Sequence, residues 1–303
     1  MKYELKAYVL QDIGQRKNRE DFFYPPFIQP CHFDKTDRAE SFYDGVPHTD
    51  DRLFLLCDGM GGHERGEVAS RLVCETMAKS LNDADAQGRP FDKVSVKNAV
   101  MDALEMLDKN DNASETRKMG TTMTLLRFHK KGVTIAYIGD SRVYHFRPSN
   151  GRAKARCLYR TEDHSLANDM LRSGRLTFQQ LANFRGRNIL TRCMMAGMEE
   201  TPEADIYTTR DVIPGDIFMM CSDGMLEELY DEDLCRMITY RDLTDEQKVQ
   251  MLLSYCEANQ DNHTAWIIRV ENVLPETEDI IETVAQDTTF GSRLQKWFKG
   301  LRL

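Results

Sequence analysis

Three apolar runs in this chain end alike. Residues 53–57 (LFLLC) lead into Asp58-Gly59, residues 133–138 (VTIAYI) into Gly139-Asp140, and residues 217–222 (IFMMCS) into Asp223-Gly224. Each run is hydrophobic enough for a strand buried on both faces. Each therefore delivers a carboxylate beside a core, where an ionised group is costly unless it is paired or metal-bound. The neighbouring glycine permits a sharp turn and a close backbone approach. Asp-Gly is also a common turn pair, and a single instance needs no more than that. Three instances, joined by Glu20-Asp21 after the first strand and Asp261-Asn262 before the last, point to a site. If these strands are neighbours, several acids meet at one rim and a cation is needed to relieve their repulsion. Oxygen-only donors favour Mg²⁺ or Mn²⁺ over zinc. Zinc is further disfavoured because no C-x-x-C or H-E-x-x-H occurs, and His63-Glu64 is followed by Arg65-Gly66-Glu67 without a second histidine.

The order of elements narrows the fold. Strands are expected at 3–10, 53–57, 122–128, 133–138, 142–146, 204–209, 216–221 and 264–270, and helices at 66–81, 94–110, 165–173, 177–184, 231–238 and 244–258. Strands follow one another without a helix between each pair, so the class is α+β with antiparallel sheets, not a doubly wound parallel sheet. Residues 24–52, rich in Pro, Asp and turn formers, read as a long loop or ragged hairpin. Residues 271–287 hold six acidic residues and no basic one, an acidic linker. Residues 288–303 form a basic tail in which Leu294, Trp297, Phe298 and Leu301 recur at i, i+3, i+4, i+7. Docking of this short amphipathic helix on the domain is the plainer expectation, and contact with an anionic membrane or acidic partner the sharper one.

Composition removes several classes of function. The 303 residues carry a formal charge of −9, the wrong sign for a nucleic-acid footprint. No apolar run approaches the ~18 residues that span a bilayer, and the N-terminus has no apolar signal-peptide segment. Eight cysteines without paired spacing, several in apolar strands such as Cys57 and Cys221, suit free thiols in a reducing cytoplasm. There is no P-loop, no G-x-G-x-x-G and no G-x-S-x-G. A thiol among these acids has a raised pKa, which argues against a Cys nucleophile.

Nine motifs occur in one order: residues 16–21 (RKNRED), DGMGGH at 58–63 with Gly66-Glu67, Gly120-Thr121-Thr122, GDSR at 139–142, DHS at 163–165, NILTR at 188–192, PGD at 214–216, SDG at 222–224 and DNHT at 261–264. Over roughly residues 3–270 the chain resembles the metal-dependent protein serine/threonine phosphatases of type 2C, in their bacterial branch. The resemblance implies a sandwich of two antiparallel β-sheets flanked by helix layers (α-β-β-α), with residues 1–270 as the catalytic domain and two Mn²⁺ or Mg²⁺ ions at one edge. By motif position, Asp58 would bridge both ions. The Gly59 carbonyl and Glu20 would serve one, and Asp223 and Asp261 the other. Asp21 would act behind them, Asp140 would help hold a weaker third ion, and Arg16 would clamp the substrate phosphate.

The implied activity is hydrolysis of phosphoserine and phosphothreonine on proteins by a monomeric cytoplasmic enzyme opposing a Ser/Thr kinase. A catalytically silent binding or scaffold module is the alternative, weakened by the presence of every acidic position. A regulator acting on one signalling partner is weakened by the lack of room for a sensor domain. Some positions depart from the family pattern. Arg19 replaces a small or polar residue, and Met60 stands where some relatives have a His proposed as general acid; His63 is the nearest substitute. The 24–52 stretch is long and either shapes substrate access or is a surface insertion. Residues 165–187 match the family's flap, and Arg172, Arg175, Arg185 and Arg187 make it locally basic, either to meet phosphopeptides or as an ordinary solvated face.

Overall fold

A computed structural model describes residues 1–26, 31–32, 42–49, 52–60, 65–111, 118–151, 154–181 and 184–275, with backbone alone at 31–32 and 42–49. His63, the tail and the linker beyond residue 275 lie outside them. The strands are β1 (Lys2–Asp12), β2 (Asp21–Tyr24), β3 (Cys31–His32), β4 (Phe42–Thr49), β5 (Leu53–Met60), β6 (Gly120–Thr121), β7 (Met123–His129), β8 (Gly132–Ile138), β9 (Arg142–Arg147), β10 (Arg156–Arg160), β11 (Met194–Met195), β12 (Asp205–Thr209), β13 (Ile217–Cys221) and β14 (His263–Leu274). The helices are α1 (Gly66–Ala86), α2 (Lys93–Asn110), α3 (Leu166–Arg172), α4 (Phe178–Leu181), α5 (Asp231–Thr239) and α6 (Asp245–Tyr255).

One sheet has the order β10-β9-β13-β14-β1-β4-β3. The other runs β11-β6-β5-β7-β8-β12, with β2 also paired to β5. Side-chain alternation explains why the core strands read as unbroken apolar runs. In β5, Phe54 and Leu56 point between the sheets, while Leu53, Leu55 and Cys57 pack with Val73, Met77 and Val100 of α1 and α2. In β13, Phe218 and Met220 point between the sheets, and Ile217, Met219 and Cys221 meet Leu234, Ile238 and Leu252 of α5 and α6. The result is four layers, helix-sheet-sheet-helix. The space between the sheets is aromatic: Trp266, Phe54, Phe128 and Phe218 make successive edge-to-face contacts with ring centroids 5.2–6.1 Å apart.

Local signals set the helix starts. Asp92 and Ser95 form a capping box at α2, Thr244 and Gln247 another at α6, and Ser165 of the DHS motif caps α3. The strands left unpredicted are short or lie at sheet edges. β2 is four residues, β11 is two, and the charged β10 (RCLYR) pairs only with β9. The 24–52 stretch takes its hairpin option. β3 pairs with Phe42 and Tyr43 of β4, and β4 adds to β1 despite Gly45 and Pro47, which lie past those two residues. The last strand runs four residues past its expected end, because Asn272, Val273 and Leu274 pair with Glu4, Tyr3 and Lys2. The first part of the expected acidic linker is therefore sheet. Of the helix expected at 177–184, the described part is α4, with residues 182–183 outside the described residues. All seven cysteines with described side chains are free, as expected.

Candidate active site

The two sheets bring the acidic strand ends to a common edge. β5 ends on Asp58, and the β2–β5 register sets Asp21 directly opposite it. β13 ends just before Asp223. Its last residue, Cys221, lies opposite Ala265 near the start of β14, which Asp261 precedes by two residues. β8 ends just before Gly139-Asp140, and β1 ends just before the turn that carries Arg16 and Glu20.

Hydroxyl groups fasten this edge. Asp58 N–H donates to Thr122 Oγ1 at 2.9 Å, and the Asp58 carbonyl accepts from Thr121 Oγ1 and Thr122 N–H, both at 2.8 Å. Thr122 Oγ1 also lies 2.9 Å from Ser141 Oγ, which ties the end of β5 to the turn holding Asp140. Asp21 is 2 % exposed. Its Oδ2 accepts from Ser222 Oγ at 2.7 Å, and Ser222 Oγ in turn accepts Thr264 N–H at 3.0 Å. Gly59 N–H donates to the Glu20 carbonyl at 3.1 Å. A Cβ at Gly59 would lie 2.2 Å from the Gly66 carbonyl oxygen, so only glycine lets β5 pass between Glu20 and the start of α1. Arg16 Nη2 donates to Asp261 Oδ2 at 2.6 Å, which places the expected clamp and an expected ligand within one ion pair.

Electrostatics marks the same residues. Burial, followed by the charges of Asp21, Asp223 and Asp140, pushes the Asp58 carboxyl well above the ordinary carboxylate range, and Asp58 and Asp223 share a hydrogen bond. Burial and Asp261 raise Asp223, against the hydrogen bonds from Asp58 and Gly224. Burial, with Asp223 and Asp163, pushes Asp140 up to about 8. Burial pushes Asp21 up to about 7 despite the Thr264 and Ser222 hydroxyls, with Asp223 and Asp261 adding to it. Burial also raises Glu20, opposed by Arg16 and assisted by Glu67 and Asp261. Among the described residues no three His, Cys, Asp or Glu side chains close into one single-ion cage. Asp58 and Asp223 meet, and Asp21, Asp140 and Asp261 add like charge around them, an arrangement that suits a hard cation keeping part of its water, as Mg²⁺ does. All-oxygen donors, with arginine near only Asp261, Glu20 and, more weakly, Asp140, fit a hard cation.

All eight residues singled out from the sequence thus belong to one connected edge. Sequence reasoning assigned no role to several others. Asn262 accepts Glu20 N–H at 2.6 Å through Oδ1. Arg142 binds Asp163 through two bonds of 2.7 and 2.6 Å and reaches Asp231 at 3.0 Å. His164 accepts Gly139 N–H through Nδ1 at 3.0 Å. Asp163, His164 and Asn262 sit in quoted motifs, so their positions were visible and their partners were not. Asp231 sits in no motif. In the flap, Arg172 pairs with Glu162 at 2.7 Å on an exposed surface.

A profile of the protein phosphatase 2C family matches residues 42–260, more than half of the chain. The chain belongs to the protein phosphatase 2C family. The serine/threonine protein phosphatase PstP of Mycobacterium tuberculosis is 27 % identical over 78 % of this chain and 43 % of its own length, so this chain spans less than half of that relative. The serine/threonine phosphatase Stp of Listeria welshimeri is 27 % identical over 71 % of this chain and 83 % of its own. The crystal structure of the catalytic domain of PstP with two manganese ions superposes with a TM-score of 0.62, at 24 % identity, over 89 % of this chain and 100 % of that one. At that identity the likeness speaks to the fold, the same sandwich of two sheets between helices.

Proposed function

We propose that this chain is a metal-dependent protein phosphatase that hydrolyses phosphoserine and phosphothreonine on proteins. The observation that carries the reading is the shared Asp58–Asp223 contact, with Asp21, Asp140 and Asp261 adding like charge around it. Membership of the family, and relatives named as serine/threonine phosphatases, support it.

The residues suit hard cations, and with two bound Asp58 would serve both. Glu20 and the Gly59 carbonyl would hold one ion, Asp223 and Asp261 the other, and Asp140 a weaker third. The two manganese ions of the PstP structure favour this count. When bound, such cations supply charge compensation for a phosphate dianion and an acidified attacking water. The chain itself orients. Thr121, Thr122 and Ser141 hold Asp58 and the Asp140 turn, and Ser222 holds Asp21. Arg16 is half exposed and reaches Asp261, so its planar fork stands at the edge of the acidic group with donors that match phosphate oxygens. Phosphoryl transfer asks for positioning and charge stabilisation more than covalent chemistry, and this division of roles meets that demand.

Phosphoprotein substrates, an opposing kinase, a monomeric state and a cytoplasmic location complete the proposal. Among the described residues no helix is long and apolar enough to cross a membrane. Hydrolysis of a phosphothreonine peptide with Mn²⁺, abolished by chelator and restored by returning the ion, is the expected result. Turnover unaffected by chelator would refute the reading.

A further inference from the structure

The loop 259–262, which carries Asp261, is fastened at both ends. Asn259, 1 % exposed, donates through Nδ2 to the Gly224 carbonyl at 2.7 Å. Asn262 Nδ2 donates to the Ile13 carbonyl at 2.8 Å. The loop packs so closely on the Asp223-Gly224 turn that a Cβ at Gly224 would lie 2.1 Å from the Asn262 carbonyl oxygen. Its two middle N–H groups go to a single side chain. Glu227 Oε2 accepts Gln260 N–H at 2.8 Å, and Glu227 Oε1 accepts Asp261 N–H at 2.9 Å.

Glu227 is exposed and packs in no core cluster. A surface carboxylate that takes two consecutive amides adds little to the fold, since water can satisfy those amides in its absence. What it sets is the path of the backbone at Asp261, and so the direction of the Asp261 carboxylate. The far side of that carboxylate is fixed by Asn262 N–H at 2.8 Å and Arg16 at 2.6 Å. Glu227 follows Asp223 by four residues, so one short segment supplies a proposed ligand and the group that aims a second.

We propose that Glu227 is the positioning residue for Asp261, holding the loop so that Asp261 and Asp223 serve the same cation. The proposal rests on the reading of Asp261 as a cation ligand. Groups that orient a metal's direct ligands commonly cost 10- to 100-fold in metal affinity when removed.

The test is a calorimetric titration of the full chain with manganese alone, for wild type, Glu227→Ala and Glu227→Gln, with thermal unfolding of each in chelator. Glu227→Ala should weaken the manganese step that depends on Asp261 about tenfold, leave the other step in place, and keep the ion-free melting temperature. Glu227→Gln, which retains one acceptor, should fall between wild type and Ala, and it carries the comparison if Ala does not fold. Wild-type affinity in either variant overturns the proposal. So does an equal weakening of both steps with a lowered ion-free melting temperature, since that marks a general structural role. A wild-type chain that binds no manganese overturns the metal reading itself, and this inference with it.

Discussion

Asp216 immediately precedes β13 and Asp223 follows it after Ser222, so one five-residue strand has a carboxylate near each end. The two are treated oppositely. Asp216 is fully buried and fully answered. Arg147 donates to both its oxygens at 2.8 Å, His145 Nε2 lies at 2.9 Å, and Ile213 N–H donates at 3.1 Å. Burial pushes its carboxyl up, yet Arg147, His145 and that backbone N–H outweigh burial and hold it below the ordinary value. At the other end Asp223 faces Asp58 and Asp261, and burial with the charge of Asp261 holds it above the ordinary value, against the hydrogen bond it shares with Asp58. The chain can neutralise a buried carboxylate with its own arginine, and does so at one end of the strand. At the other end it gathers further acids, which is stable only when a cation arrives from outside. The structural end is complete within the chain, and the functional end is completed by its ligand.

The comparison breaks most visibly under substitution. Asp58→Asn should lower phosphopeptide turnover by about 100- to 1000-fold or more, the scale of losing a preorganised charge-stabilising group. Its ion-free melting temperature should hold or rise, because one member of a repelling group is gone. Steady-state kinetics with Mn²⁺ and thermal unfolding in chelator check both halves. Asp216→Ala should do the reverse. Breaking a buried ion pair costs about 3–5 kcal/mol, so melting should drop by several degrees while turnover per folded molecule stays near wild type.

The pH response should also separate the two ends. Asp21 at about 7 and Asp140 at about 8 lie well above an unfolded aspartate near 4. The folded ion-free chain therefore binds protons that the unfolded chain has already lost. That stabilisation is complete below about pH 4 and drains away as pH rises through 7 and 8. Melting in chelator should fall between about pH 5 and pH 8, and stabilisation by Mn²⁺ should be larger at pH 8, because cation entry needs the carboxylates deprotonated. Asp216 has the opposite sign. Its contribution is present at neutral pH and is lost only in acid, below the ordinary carboxylate range.

The smallest effect is expected at the flap. Reversing the charge of Arg172 and Arg175 should raise KM for phosphopeptides a few-fold and leave a small aryl phosphate unchanged. Arg172 already pairs with Glu162 on an exposed surface, where such pairs are worth about 0–1 kcal/mol. Equal effects on both substrates would remove the flap from substrate recognition.

The legible parts of the molecule were those in which a local pattern and a global requirement agree. The runs before Asp58, Asp140 and Asp223 are unbroken because both faces of those strands are buried, and their terminal acids converge because the sheets put those ends at one edge. The illegible parts depend on partners distant in sequence. RCLYR reads as a charged loop until β9 lies beside it, and Asn272 to Leu274 read as linker until the first residues of the chain pair with them. The same holds within the site. Asp261 carried a signal in its place before an apolar strand, whereas Glu227 is one acid among many on a helix-rich surface. Its two amide partners lie 33 and 34 residues further along the chain. The PGD motif marks the position of Asp216 but not its role, because its Arg147 partner lies 69 residues away.

The most direct measurement is anomalous diffraction from a crystal grown with manganese. Two peaks flanking Asp58, one against Glu20 and Gly59 and the other against Asp223 and Asp261, are the predicted result. An edge with those carboxylates turned apart and no anomalous density between them would contradict the account.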